Sequence, residues 1–305
     1  MKNFALTGVG GYIAPRHLQA IKATGNRLIA ALDVHDSVGI LDKYFPEASF
    51  FTEFERFERH LEHLKRTNHH EKIDYLSICT PNFLHDSHIR LALRVGADAI
   101  CEKPIVLNPW NLDILEEMEK ETGKKIYTIL QLRVHPALKD LKNKISKELV
   151  ENPLKKYKVE MTYITSRGKW YDFSWKGKIE KSGGVATNIG IHLFDLLIWL
   201  FGKPIHSQVI NQELRSCKGE LELEHAFVNW FLSVNFSDLP KNLKQGQTTF
   251  RSIKIDEEEI EFTEGFTELH TEVYKRILEE DYTFRIPEAR ASIELVYKIR
   301  NNVKF

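Results

Sequence analysis

Apolar runs of strand length alternate with segments of helical period through the first 130 residues. The first junction is a glycine-rich turn, Thr7-Gly8-Val9-Gly10-Gly11-Tyr12-Ile13-Ala14-Pro15. NFALTGV leads into an amphipathic stretch with Leu18 and Ile21 on one side, closed by Gly25. RLIAALDV, DSVGILDKYF, ASFFT and FERFERHLEHLKR follow, then YLSICTP with HDSHIRLALRVG and ADAICEKP with NLDILEEMEKETG. Strands that are apolar nearly throughout and are separated by helices belong to a parallel sheet covered on both faces. A doubly wound, Rossmann-type nucleotide-binding domain is therefore expected over residues 1–130.

After KIYTILQLR the pattern changes. One helix is expected from Pro136 to Lys147 and another from Ala186 to Phe201. KKYKVEMTYITS, LELEHAFVNWFLSVNF, TFRSIKID and EIEFT alternate apolar and polar positions, the mark of a sheet with one covered face. Two helices, ELHTEVYKRILEE and PEARASIELVYKIR, close the sequence. Residues 131–305 are expected to form an α/β domain on a largely antiparallel open sheet, and 305 residues suit two domains.

Composition narrows the partners. Lys plus Arg and Asp plus Glu each total 43, so neither nucleic acid nor an anionic membrane is expected as the main partner. Cys79, Cys101 and Cys217 are odd in number and widely spaced, as in a cytoplasmic protein with reduced thiols. MKNFALTGVGGYIAP reads as a strand and loop rather than a secretory signal. The apolar stretch Ile189 to Phe201 is broken by His192 and Asp195 and falls short of a membrane span.

The glycine turn lies where a dinucleotide's pyrophosphate rests on helix N-terminal amides. Glycines let phosphate approach the backbone, and Pro15 in the opening helical turn has no amide to leave unpaired. Ile13 occupies the third glycine position of the usual spacing, so Gly8-x-x-Gly11-x-x-Ala14 is the better register. Gly8, Gly11, Tyr12 and Ile13 are the expected cofactor contacts, a plain strand-to-helix turn being the alternative. Asp33 ends the second strand, placed to accept the ribose hydroxyls of an adenosine. A carboxylate there repels a 2′-phosphate, which favours NAD over NADP. Asp36 or Ser37 can reach the same ribose or simply cap a helix.

Three further segments carry chemistry. Thr80-Pro81-Asn82-Phe83-Leu84-His85 follows the fourth strand, where ligands of doubly wound sheets bind; a turn capped by Asn82 is the alternative. Cys101-Glu102-Lys103-Pro104 follows the fifth strand, its proline holding Lys103 extended, although most lysines are solvated surface charges. Gly183-Gly184-Val185-Ala186-Thr187-Asn188-Ile189-Gly190-Ile191-His192 enters a helix. There Asn188 and His192, four apart, share a face, though histidines in apolar helices more often belong to the core.

The glycine loop, TPN…H, EKP and GG…N-x-G-x-H-x-x-D together resemble the glucose–fructose oxidoreductase and inositol dehydrogenase family of NAD(P)-dependent oxidoreductases, over nearly the whole chain. The resemblance implies a Rossmann domain joined to an α/β domain that carries the substrate site and an oligomer interface, with a homotetramer expected. It makes Lys103 the catalytic lysine and His192 the catalytic histidine, with Thr80, Asn82, His85 and Glu102 on the cofactor. Many members carry aspartate where this sequence has Asn188. Within the family, GYIAPRHLQAIKATGN, FFTEFERF, YITSRGKWY, SWKG and GVATNIGIHLFDLLIWLFG look like the branch that oxidises UDP-N-acetylglucosaminuronic acid at C3 for surface polysaccharides, a branch with asparagine there. That likeness implies a UDP-sugar substrate and, as in some relatives, NADH recycled with 2-oxoglutarate. Asn188 is expected to hydrogen-bond the reacting sugar, and Arg133, Tyr163 and Arg167, with Gln131 in addition, are the candidates for holding the substrate's uronate and diphosphate, each equally at home on the surface or a sheet face. Trp170, Tyr171 and Trp175 suit packing on sugar or burial. Asn68-His69-His70 reads as a solvated loop, and no metal is needed where a lysine stabilises an alkoxide. A free-sugar or inositol dehydrogenase and a non-catalytic NAD-binding sensor are the alternatives.

Overall fold

A computed structural model describes residues 1–303 apart from Asn68, His69, Asn242, Gln245 and 261–267. The chain divides into two compact units. Met1–Gln131 joins Thr267–Ala289 in the first, and Leu132–Phe266 joins Arg290–Phe305 in the second. This departs from a single cut near residue 130, because the sequence returns to the first unit late in its course.

In the first unit the elements are β1 (Asn3–Thr7), α1 (Ala14–Ala23), β2 (Arg27–Leu32), α2 (Ile40–Tyr44), β3 (Ser49–Phe51), α3 (Phe54–Thr67), β4 (Tyr75–Ile78), α4 (His85–Val95), β5 (Asp98–Cys101), α5 (Pro109–Thr122) and β6 (Ile126–Thr128). Its sheet has the order β3-β2-β1-β4-β5-β6, and every neighbouring pair is parallel. β1 and β4 are buried along their whole length, as a sheet covered on both faces requires.

The second unit holds α6 (Pro136–Glu151), β7 (Tyr157–Thr165), α7 (Trp170–Phe173), α8 (Ile179–Ser182), α9 (Ile191–Phe201), β8 (Pro204–Gln212), β9 (Ser216–Leu223), β10 (Ala226–Ser233), β11 (Thr249–Ile255) and β12 (Glu258–Glu259). Next comes α10 (Leu269–Leu278), which packs along α1 in the first unit and buries Val273, Tyr274 and Ile277. The last helix is α11 (Ile286–Asn301).

The second sheet runs β12-β11-β7-β10-β9-β8 and is antiparallel except for the pair β7 and β10. LELEHAFVNWFLSVNF is a hairpin rather than one strand, turning between Leu223 and Ala226. β8 was not evident in the sequence because it is an edge strand with only Ser207 buried. Of EIEFT, residues 261–263 lie outside the described part. Tyr157, Val159 and Met161 of β7 share one face with Ala226, Val228 and Trp230 of β10. α9 covers that face, Phe194 meeting Trp230 edge-on at 5.4 Å between ring centres and Phe201 lying 5.3 Å from Tyr157. The opposite face carries Lys158, Glu160, Phe227 and Asn229, all exposed.

The stretch from Ile179 to Phe201, interrupted at Gly183, is long and apolar enough by composition to cross a membrane, more than the apolar run Ile189 to Phe201 implied. Its most apolar window is 78% buried within the fold, as expected of a core helix.

His17, His85 and His88 are buried in the first unit, and burial lowers the pKa of each. His88, whose Nδ1 lies 2.9 Å from Thr7 Oγ1, falls from 6.5 to about 4. As pH drops below 6.5 the unfolded chain binds protons that the folded His88 refuses. Each such group then removes roughly 1.4 kcal/mol of stability per pH unit, until it protonates in the fold as well. Urea midpoints are expected to decline from pH 6.5 towards 4, and less steeply in His88→Gln. An unchanged slope in the variant would show that His88 titrates alike in both states.

Candidate active site

The candidate cofactor site is built at the carboxyl ends of β1, β2, β4 and β5. Gly8 has φ +81°, and a Cβ there would stand 2.7 Å from the carbonyl carbon and oxygen of Cys79. No other residue type fits between the loop and the end of β4. Gly11 N–H donates to Gly8 O at 3.0 Å and Ala14 N–H to Gly11 O at 3.2 Å, winding the loop into α1 with Pro15 in its first turn. Tyr12 is 89% exposed at the tip, and Ile13 is part-buried.

Asp33 takes the Gly10 amide on Oδ2 at 2.9 Å and the His35 amide on Oδ1 at 3.0 Å. It fastens the glycine loop and still has lone pairs for hydroxyl donors. Asp36 and Ser37 are exposed just beyond it. Thr80 Oγ1 is buried without a hydrogen-bond partner among the described residues. A cradle that admits no side chain, amides at a helix start, a carboxylate ending β2 and an unfilled hydroxyl fit a dinucleotide with a free 2′-hydroxyl.

Asn82 is buried and opens the 3-10 turn Asn82–Leu84. His85, expected on the cofactor, is 1% exposed and faces backbone at both ring nitrogens: Nδ1 lies 2.7 Å from Pro104 O and Nε2 2.8 Å from Thr80 O. Neutral, it donates to one of these carbonyls and packs its other ring nitrogen against the second, so it sits between the turns after β4 and β5 with both nitrogens turned to backbone rather than to a ligand. The Lys103-Pro104 bond is cis. Lys103 is part-exposed, and burial lowers its pKa from the usual lysine value while the charge of Glu102 acts to raise it. Glu102, also expected on the cofactor, turns inward. Its Oε1 accepts from His17 Nε2 at 2.9 Å and from His270 Nε2 at 3.1 Å. Burial would raise the Glu102 pKa, but these hydrogen bonds outweigh it and hold the carboxyl well below its usual range. Gln131 closes the first unit, part-buried, with a buried Oε1 that lacks a partner among the described residues.

The residues expected to meet substrate belong mostly to the second unit. Gly183 and Gly184 have φ of +80° and +77°, and Ala186–Gly190 forms one π-helical turn before α9. π turns recur at functional sites, and this one sets Asn188. Asn188 and His192 are part-exposed while Thr187, Ile189, Gly190, Ile191 and Leu193 are buried, so the two share the open face as the spacing implied. A Cβ on Gly190 would come within 2.5 Å of Leu232 Cδ1 on β10, so glycine lets this turn sit directly on the sheet. Leu232 pairs with Tyr163, and Tyr163 with Arg251 of β11. The Arg251 guanidinium lies 5.0 Å from the Tyr163 ring centre, at cation–π range.

Tyr171 is buried and hydrogen-bonded to Asn188; burial raises its pKa and Asn188 opposes that. Trp170 is exposed and Trp175 half-buried, with Lys176 Nζ 5.6 Å from each ring centre. Arg167 is part-exposed, its guanidinium only 3.4 Å from its neighbour's carbonyl, Ser166 O. Arg251 and Arg215 were not singled out from the sequence. Arg215 ties Asp172 of α7 to Asn235, Arg167 O and Val234 O. Only strand register brings Arg251 to Tyr163, so no local motif announced it. His70 is exposed; Asn68 and His69 lie outside the described residues.

Arg133 requires a correction. It was expected to hold an anionic substrate, yet it is 4% exposed and forks onto Asp195 of α9, Nε to Oδ2 at 3.0 Å and Nη2 to Oδ1 at 2.8 Å. A buried aspartate three residues after His192 needs this guanidinium, which thereby fixes the helix that presents His192. Arg133→Met should cost about 3–5 kcal/mol in urea unfolding by stranding Asp195. Arg133→Met with Asp195→Leu should recover much of that loss, and additive costs would mean that the pair is not coupled.

A Rossmann unit with this cradle, followed by a mixed-sheet unit presenting asparagine and histidine on one helix face, defines an NAD-dependent oxidoreductase of two units. Residues 2–130 match the model described as the oxidoreductase family's NAD-binding Rossmann fold, and residues 147–230 match that of the same family's C-terminal alpha/beta domain; the chain belongs to this family. It is 51% identical to the WlbA (WbpB) dehydrogenase of Thermus thermophilus, solved with NAD and alpha-ketoglutarate. That match covers 98% of this chain and 95% of the other at a TM-score of 0.93. The same enzyme has been solved with NAD and UDP-GlcNAcA, TM-score 0.92. The WlbA dehydrogenase of Bordetella pertussis shares the fold at 19% identity and a TM-score of 0.76, covering 98% of this chain and 94% of that one. Among curated relatives, inositol 2-dehydrogenase of Rhizobium meliloti is 29% identical over 43% of this chain, and D-glucoside 3-dehydrogenase of Escherichia coli 27% identical over 44%. Each match spans 37% of the relative's own length.

Proposed function

We propose that the protein oxidises the C3 hydroxyl of UDP-N-acetyl-D-glucosaminuronic acid to the 3-keto sugar nucleotide, using NAD. The observation that carries this reading is the 51% identity, across 98% of the chain, to an enzyme solved with NAD and UDP-GlcNAcA. NAD supplies the acceptor for the hydride that leaves C3. Gly8, Gly11, Tyr12, Ile13, Asp33, Ser37, Thr80 and Asn82 are the residues to hold it. His192 accepts the hydroxyl proton, and Lys103 stabilises the forming alkoxide as an ammonium. Asn188 donates to the sugar without placing a negative charge beside the uronate, and Tyr171 fixes its amide. Arg167, Tyr163 and Gln131 remain candidates for the anionic groups, joined by Arg251.

The complex of the same relative with alpha-ketoglutarate supports 2-oxoglutarate as the acceptor that regenerates NAD without release of the cofactor. On this reading the enzyme is a cytoplasmic homotetramer that serves synthesis of diacetamido-uronic acids for O-antigen and lipopolysaccharide. Its open sheet face, bearing Phe227 at 51% exposure, supports pairing between subunits.

Reduction of NAD is expected with UDP-N-acetylglucosaminuronic acid and absent with UDP-N-acetylglucosamine or myo-inositol, as followed at 340 nm. Lys103→Met and His192→Asn should each lose at least about 10³-fold in kcat while NAD affinity stays within twofold. Asn188→Asp should raise KM for the uronate far more than it lowers kcat. Turnover of myo-inositol alone would replace the substrate. Tight NAD binding without turnover of any of the three would favour a sensor.

A further inference from the structure

Five polar side chains form a continuous buried chain inside the first unit, running through Glu102, the residue before Lys103. Ser77 Oγ lies 2.7 Å from Tyr274 OH, which lies 2.7 Å from His17 Nδ1. His17 Nε2 and His270 Nε2 both reach Glu102 Oε1. Ser77, His17, Glu102, Tyr274 and His270 are all at most 6% exposed. With Nε2 of each imidazole donating to Oε1, the proton order is set: Tyr274 donates to His17 Nδ1, and Ser77 donates to Tyr274. Although two histidines and a glutamate are common metal-binding types, here both Nε2 atoms are committed to one carboxylate oxygen at hydrogen-bond distance.

The remaining oxygen, Oε2, faces the Lys103 amide at 3.3 Å. A fixed anion therefore sits one residue before the amine assigned to alkoxide stabilisation. We infer that Glu102 is a positioning residue for Lys103: its carboxylate, locked by His17 and His270, sets a fixed negative charge beside that residue's amine and ties the turn that aims it. This rests on the reading of Lys103 as catalytic.

The other titratable groups facing this carboxylate are Cys79 after β4, Cys101 on β5, His85 on α4 and Tyr274 on α10, with Arg16 facing His17. Burial pushes Cys79, Cys101 and Tyr274 up and His17 and His85 down, so all five are neutral where a lysine with a lowered pKa titrates. Burial lowers the Lys103 pKa, and the Glu102 charge partly offsets that fall.

The test is competitive acetylation of the NAD-bound protein with trace acetic anhydride from pH 7 to 11, read by peptide mass spectrometry. It gives the protonation midpoint of Lys103 without any substrate. Glu102→Gln keeps an acceptor for both imidazoles and removes only the charge. Its Lys103 midpoint is expected to fall by about one pH unit or more, while Lys142, half-buried in the second unit, stays put. Glu102→Asp restores the charge and should return the midpoint to within about 0.3 unit of wild type. An unmoved midpoint in Glu102→Gln would overturn the inference, as would an equal fall in the two variants. Should Glu102→Gln not fold, Glu102→Ser, neutral and smaller, takes its place with the same expected fall, and an unmoved midpoint there overturns the inference. If the sugar nucleotide is turned over, the basic limb of kcat should move with the midpoint in Glu102→Gln. If it is not, the substrate reading fails and the labelling result still stands.

Discussion

A carboxylate removed from water is tolerable only when its charge is met by donors, and Glu102 is met by two imidazoles from opposite ends of the sequence. His17 comes from the first helix and His270 from the tenth, so the burial of one charge dictates that distant segments converge. The pairing explains why α10 lies on α1, and it seats the turn bearing Lys103 on a rigid floor. Around it, close approaches do the rest. Gly8 brings the loop within contact of the β4 end, and His85 laces the turns after β4 and β5 together.

The second unit solves a matching problem by a different device. A helix as apolar as α9 has little to fix its rotation except shape, and two features supply that. Gly190 lets the π turn lie flat on Leu232, and the Arg133–Asp195 fork pins the helix from within. Asn188 and His192 then emerge on the open face because every neighbouring position is committed to the core. Tyr171 fixes the Asn188 amide, and Arg215 secures the α7 loop that carries Tyr171. The two side chains on the open face are thus held in place largely by the buried residues Arg133, Asp195 and Tyr171.

Much of this was legible in the sequence, for identifiable reasons. The parallel sheet followed from strands apolar throughout, the glycine cradle from spacing, and the shared face of Asn188 and His192 from helical period. What escaped notice depended on pairing across the chain. Arg251 is ordinary in its own strand and becomes a neighbour of Tyr163 only through the register of β11 on β7. Arg133 resembled a ligand for anions because the sequence could not reveal that Asp195 lies against it. Glu102 and His85 belonged to the right motifs, yet both face inward, since a motif names the turn and not the direction of each side chain. β8 offered no alternation because an edge strand buries almost nothing.

The discontinuity of the first unit has a consequence for how the chain is made. As a ribosome releases residues 1–131, all six strands of the first sheet are present, but the imidazole of His270 and the hydroxyl of Tyr274 are not yet synthesised. Glu102 then faces an opening with a single histidine beside it, and the floor under Lys103 is unfinished until the whole second sheet has emerged. The nucleotide-binding part is therefore the first to begin and among the last to be completed. A fragment cut after its final strand would carry the cradle for the cofactor without the support on which the Lys103 turn rests.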